Sequence, residues 1–444
     1  MSFPRYPAYR DSGVSGLGEV PTHWSVSRLG YQCTKIGSGK TPLGGADAYS
    51  ATGIIFIRSQ NVHDDGIRFD DVVFITRETD AELSASRVLV GDILINITGA
   101  SIGRTCLVSE GVDEANVNQH VCILRMRKAE DRAFIALFMK GYAAQRQIAQ
   151  LQTGAAREGV NFAQLSNLSV VLPPSDEQRA ITAFLDRETA KIDALVSEQR
   201  RLIELLKEKR QAVVSNAVTK GLNPDAPMKD SGVEWLAEVP AHWEVTRLRN
   251  VFREVAESGT DDLPILSVSI HHGVSDKEMD DEEMDRKVSR SDDRSKYKQV
   301  APGDLVYNMM RAWQGGFGSV MVEGMVSPAY VVARPRRPIA TPYVEHLLRT
   351  QQATEQMRRH SRGITDFRLR LYWDEFKNIR IALPCISEST TICEAIKTMD
   401  LEFEALSASC EQAVGVLLER RTALISAAVT GQIDVRSLAT SEAA

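Results

Sequence analysis

The chain has 444 residues, enough for two or three domains with substantial cores. Its apolar fraction of 43% and charged fraction of 25% are those of an ordinary globular protein and exclude a disordered or fibrous chain. The formal net charge of -6 at pH 7 argues only weakly against a polyanionic partner, because phosphate binding depends on where Lys and Arg cluster rather than on their sum.

In chain order, the opening MSFPRYPAYRDSG has no basic segment followed by an apolar stretch, and no apolar run approaches a bilayer span. The expected setting is therefore cytoplasmic, with no membrane contact. Residues 11–29 read DSGVSGLGEVPTHWSVSRL. Next, Ile36-Gly37-Ser38-Gly39-Lys40-Thr41 looks like the end of a P-loop, but the first glycine of that motif would fall at Thr34 and Pro42 stands where its helix should begin. Short apolar runs between turn residues then predict strands: IIFI at 54–57, VVFI at 72–75, DILIN at 92–96 and VCILRM at 121–126. A single helix is predicted near 130–151, then a closing strand in LSVVLPP at 168–174.

Beyond Pro173-Pro174 the pattern turns helical for about forty residues. Ser175-Asp176-Glu177-Gln178 offers a capping box, the Ser oxygen and Gln amide each satisfying a backbone N–H. Counting by sevens from Ile181 and Leu185 gives a seam that includes Ile192, Leu195, Leu202 and Leu206 and ends before Gly221. Asn223-Pro224-Asp225 then reads as linker; the second proline and the aromatic of an amine-holding N-P-P-[FY] motif are missing.

Residues 230–248, DSGVEWLAEVPAHWEVTRL, repeat residues 11–29 with 13 of 19 positions identical at an offset of 219. A period that long marks two whole modules in tandem, and two copies of one reader imply a two-part target. Strands are expected again in ILSVSI at 265–270, DLVYN at 304–308, GSVMV at 318–322 and YVVAR at 330–334, a helix near 341–358, and a closing strand in IRIALP at 379–384. The seven acids in residues 276–285 and the basic residues that follow read as a solvated loop. A second long helix is predicted from near Ser387 to Thr430-Gly431, with Phe403, Leu406, Leu417 and Leu424 in its seam. Two such rods, each roughly 60 Å long and apolar on one stripe, are expected to pair with each other, antiparallel about a pseudo-two-fold axis. If the helix centres meet, Glu188 should lie within a turn of Arg420 or Arg421. The fold class is α+β: a head over residues 1–173, a spacer helix over 174–221, a second head over 222–384, a second spacer helix over 385–436 and a tail over 437–444.

Catalytic and metal motifs are missing from this reading. The six cysteines never form C-x-x-C, the eight histidines never form H-x-x-x-H, and no nuclease or Ser/His/Asp spacing is present. Gly315-Gly316-Phe317-Gly318 reads as a strand approach. No metal, cofactor or catalysis is expected in this chain. What remains is recognition, through polar and cationic residues beside strand ends. In the first half these are Lys40, Thr41, Arg58, Ser59, Gln60 and Asn61, then Arg104, Gln119 and His120. In the second they are His271, His272, Arg311, Trp313, Gln314, Arg368 and Arg370. Arg, Asn and Gln pair with purine edges, while Lys, Ser and Thr hold phosphates. His23 and His242 read as structural, and Trp24 and Trp243 as core.

These motifs, in this order and twice over, resemble the specificity subunit of type I restriction-modification enzymes across nearly the full length. The resemblance rests on GEVPTHW (18–24) and AEVPAHW (237–243), SGKTP (38–42) before FIRSQNV (56–62), and GDILINITGASIGR (91–104). It also rests on SPAY (327–330), LPPSDEQRAI (172–181), and the helix ends KRQAVVSNAVTKGL (209–222) and RRTALISAAVTGQIDVR (420–436). The second copy departs where Glu388-Ser389 replaces Glu177-Gln178. By this resemblance the heads are pseudo-symmetric mixed α/β target-recognition domains, each reading half of a split double-stranded DNA sequence, and the paired helices form an antiparallel coiled coil that sets the gap. Two modification subunits, which bind S-adenosylmethionine and methylate adenine, would dock on the helices, and motor-nuclease restriction subunits would complete the complex. Two other readings stay open here: a two-headed coiled-coil adaptor that binds protein, and a stand-alone methyltransferase or nuclease.

Overall fold

The computed structural model describes residues 3–14, 16–112, 114–152, 159–260, 262–270, 273–277, 296–363 and 369–438. The chain divides into two compact units, one of Met1–Arg200 with Glu411–Ala444 and the other of Arg201–Cys410.

Each unit has the same plan. In the first, hairpin strands Tyr9–Asp11 and Glu19–Pro21 pair antiparallel, and Ser25–Arg28 pairs antiparallel with the closing strand Ser169–Leu172. The main sheet is antiparallel in the order Thr105–Leu107, Ile93–Asn96, Val121–Met126, Cys33–Ser38. In the second unit the hairpin is Met228–Asp230 with Glu238–Pro240, and Glu244–Arg247 pairs with Arg380–Leu383. Its main sheet runs Phe317–Ser319, Leu305–Asn308, Tyr330–Pro335, Phe252–Val255, strand for strand the same order. The first unit adds a three-stranded sheet of Ala115–Val117, Ile54–Ile57 and Val73–Ile75, and the second a pair of Lys298–Val300 with Gly324–Val326.

Two polar devices recur inside these cores. Trp24 and Trp243 are each 1% exposed. Their indole N–H groups donate to Glu177 Oε2 at 2.9 Å and to Glu388 Oε1 at 3.1 Å, and His23 and His242 bond the other carboxylate oxygen at 2.7 and 2.8 Å. Both histidines are thus tied to the start of a long helix, and Glu388 does in the second copy what Glu177 does in the first. In the main sheets, buried Asp92 accepts from Leu89 N and from Arg125, while buried Asp304 accepts from Ala301 N and from Arg334. Each arginine reaches over from the neighbouring central strand, so the pair locks two strands by charge-assisted hydrogen bonds.

The sequence reading differs from the structure in four places. The single helix expected in each head is two. In the first unit Asp131–Lys140 and Tyr142–Gln152 break at extended Gly141, and in the second Thr341–Leu348 and Gln351–His360 break where Thr350 caps Ala353 N. ILSVSI contributes only Val268–Ser269 as strand, and GSVMV is displaced to Phe317–Ser319. The capping box does not form: Ser175 Oγ donates to Glu130 and the Gln178 amide to Asp131 and Pro173 O, so carboxylates at the start of helix Asp131–Lys140 and the backbone just before Ser175 take them instead.

The fourth concerns the long helices, Ser175–Lys220 and Ile386–Val429. Each begins in one unit and ends in the other. In the first unit Asp193 accepts from Arg421 at 2.9 and 3.2 Å, and in the second Asp400 accepts from Arg210 at 2.7 Å. The start of one helix thus meets the end of the other in both units, the antiparallel arrangement. Glu188 bonds its own neighbours Arg187 and Lys191. Ile192 is buried and Leu206, Phe403, Leu417 and Leu424 are half-buried, but Leu195, Leu202 and Leu406 are exposed. The covered stripe passes instead through Ile181, Leu185, Thr189, Ile192, Val196, Gln199, Ile203 and Leu206 to Val214 and Ala217. From Leu185 its steps alternate between four and three residues, so the count by sevens holds through Leu185, Ile192, Gln199 and Leu206, and the second row is Thr189, Val196 and Ile203, one residue on from the row of Leu195 and Leu202.

Candidate nucleic-acid interface

In the first unit the predicted residues gather at one end of the main sheet. Lys40 and Thr41 follow strand Cys33–Ser38, Arg58 follows Ile54–Ile57, and Gln119 and His120 form the turn into Val121–Met126. Three backbone bonds hold these ends together: Gly39 N to Asn118 O at 3.1 Å, Asn118 N to Ile57 O at 3.1 Å, and Ile97 N to His120 O at 2.9 Å. The approach is so close that a Cβ on Gly39 would lie 1.6 Å from Val117 O. Only glycine fits there, and the SGKT turn is thereby held against Asn118 and Gln119.

On this frame Lys40, Thr41, Gln60 and Gln119 are exposed, while Arg58, Ser59, Arg104 and His120 are half-buried. Thr41 Oγ1 donates to Gln119 Oε1 at 2.6 Å, Gln119 Nε2 bonds His120 Nε2 at 2.8 Å, and His120 Nδ1 bonds Thr98 Oγ1. Arg58 donates to Asp71 O and has its guanidinium 5.9 Å from the centre of the Tyr49 ring. Ser59 O accepts from the buried Asn96 amide, and Arg104 reaches Val62 O at 3.5 Å. Asn61 is buried: its side chain accepts from Arg58 N and donates to Arg68 O, so it shapes the turn and presents nothing outward.

In the second unit, Arg311, Trp313 and Gln314 lie between strands Leu305–Asn308 and Phe317–Ser319, the place that residues 97–104 occupy in the first. Trp313 Nε1 donates to Met310 O at 3.1 Å, and the Arg358 guanidinium stands 5.7 Å from the Trp313 ring centre. Arg370 is exposed; its backbone pairs with Arg362, and Leu371 N bonds Met309 O at 2.9 Å, which brings this segment beside the same turn. Burial raises the Tyr330 hydroxyl above the usual tyrosine range, keeping it a neutral donor. His271, His272 and Arg368 lie outside the described residues. Tyr49, Thr98, Arg358 and Arg362 were not singled out in sequence. Only the Arg358-Arg359-His360 run at a helix end carried a signal there.

Among the described residues no group of His, Cys, Asp and Glu is placed to hold a metal ion, and no helix is long and apolar enough to cross a membrane. The family described as "Type I restriction modification DNA specificity domain" matches residues 21–205, which contain every first-unit residue of this interface. Residues 21–205 are similar to that domain family. The family is the one its motifs resemble. The putative type I restriction enzyme MjaX specificity subunit of Methanocaldococcus jannaschii is 25% identical over 239 residues, 53% of this chain and 54% of that protein, so the match spans about half of that relative. The type I restriction enzyme MjaVIII specificity subunit of the same organism is 23% identical over 441 residues, 94% of this chain and 95% of its own. A solved chain from a study of complex assembly and conformational transition in the type I R-M system has a TM-score of 0.58 at 16% identity, covering 92% of this chain and 98% of that one, and so shares the fold.

Proposed function

We propose that this chain is the DNA sequence-specificity subunit of a type I restriction-modification complex, and that each unit reads one half of a bipartite double-stranded target. The observation that carries the reading is the duplication. One sheet order occurs twice, each time with cationic and amide side chains on the turns at the corresponding end. Arg and Gln on such turns suit purine edges in a major groove, and Lys40 and Thr41 suit phosphate.

The long helices fix the number of unread bases between the half-sites. Leu195, Leu202, Leu205, Leu401, Leu406 and Leu418 leave apolar surface on them, and this is where two modification subunits dock. Those subunits bind S-adenosylmethionine and methylate adenine, motor-nuclease subunits join them, and this chain supplies sequence choice without chemistry of its own, in the cytoplasm. Partners closing around the duplex contribute phosphate contacts that a chain of net charge -6 lacks.

A gel-shift experiment with random duplexes, with and without a modification subunit, tests this. Sequence-selective retention that strengthens with the partner is expected. Absence of any duplex binding in both arms would favour a protein-binding adaptor, and methyl transfer or cleavage by the isolated chain would favour an enzyme.

A further inference from the structure

We propose that Gln119 is an adenine reader whose donor and acceptor directions are set by Thr41 on one side and by the His120–Thr98 pair on the other. The inference rests on the DNA-reading function proposed above.

A primary amide has two acceptor sites on oxygen and two N–H donors on nitrogen. Here Thr41 Oγ1 donates to Oε1 and occupies one acceptor site. Nε2 stands 2.8 Å from His120 Nε2, so an amide N–H must donate to an unprotonated ring nitrogen. The remaining ring N–H is then on Nδ1, where Thr98 Oγ1 accepts it. The amide thereby sets the ring tautomer, and Thr98 Oγ1 holds the ring N–H that results. What Gln119 keeps for a ligand is one acceptor on the Thr41 side and one donor on the His120 side. Adenine asks for that pair in the major groove, an acceptor for N6–H and a donor for N7.

The position suits the task. Gln119 is exposed, while Asn118 is buried and holds the turn from beneath by accepting from His120 N at 3.0 Å. A flexible glutamine would spend binding energy on being ordered, and one already held on both sides spends less. The held direction also carries information: an amide turned over would present donor and acceptor in reverse order. Thr98 and Thr41 are therefore positioning residues, and Gln119 is the residue that touches the base.

The test is selection from a random duplex pool by the full chain, in whatever complex copurifies with it, followed by sequencing of bound duplexes. Wild type should return a two-part sequence. Gln119→Ala should lose preference at a single adenine of one half-site by on the order of ten- to hundredfold, every other position being unchanged. Gln119→Glu, acceptor only, should move that position toward cytosine, a gain that mere loss of structure does not produce. Thr98→Val should weaken discrimination at that same position with overall affinity retained, because the ring is freed to exchange its proton between nitrogens. A wild-type preference that Gln119→Ala and Gln119→Glu both leave intact would overturn this assignment while sparing the wider reading. A wild-type pool with no preferred sequence would overturn both.

Discussion

Glu177 and Glu388 show how one side chain organises a unit. Each carboxylate receives a buried tryptophan N–H and a histidine from the hairpin region, joining the repeated EVPxHW motif to the first turn of a long helix. Glu177→Ala should leave the Trp24 indole N–H buried without an acceptor and cost about 1–3 kcal/mol. Hydrogen exchange of the Tyr9–Asp11 and Glu19–Pro21 hairpin reads this loss, while the Met228–Asp230 hairpin should be unaffected; equal loss in both would contradict it. Arg125→Met would strand the Asp92 carboxylate, whose side chain is 2% exposed, and should destabilise the first unit by about 3 kcal/mol in denaturant titration. The tryptophans were legible as core because a repeated aromatic in an apolar setting has few other uses. Their acceptors were not: the partners lie 153 and 145 residues away in sequence. Glu388 even looked like a departure from the first copy, because Gln178, its neighbour's counterpart, is replaced while the carboxylate itself is kept.

At the level of elements, apolar runs found the central strands to within a residue, since Ile93–Asn96, Val121–Met126, Leu305–Asn308 and Tyr330–Pro335 are buried on both faces. Strand edges and helix breaks were less legible. Amphipathic periodicity runs straight through Thr350, and only the extended backbone there reveals the cap. The long helices were predicted in place and direction, and the count by sevens holds, but one of the two rows of the stripe was set one residue too early. That error put Leu195, Leu202 and Leu406 inside and missed Thr189 and Val196. The inter-helix ion pairs are partly exposed, so Arg421→Glu should cost at most about 1 kcal/mol, and adding Asp193→Arg should recover most of it. Thermal unfolding of the single and double variants measures this; a double variant less stable than either single one would mean that these groups do not face each other.

For the molecule as a whole, the duplicated sheet order argues that the two units are separately addressable readers. If the helices set the gap, extending both by about 25 residues, close to seven whole turns, adds roughly 38 Å, near one turn of duplex. Target selection with that variant should return unchanged half-sites separated by about ten further bases; altered half-sites at the old spacing would count against the helices as a ruler. The two-part organisation was legible because a repeat at an offset of 219 residues admits few other architectures. The reading surface was not, because under the proposed function base choice would fall to turns such as 118–120, whose geometry is set by contacts from three other strands. The most direct measurement compares the sequences selected by wild type with those selected by the chain carrying alanine at Lys40, Arg58, Gln119 and His120. One half-site should become degenerate while the other half and the gap stay as they were; a change in both halves, or in neither, would contradict the account.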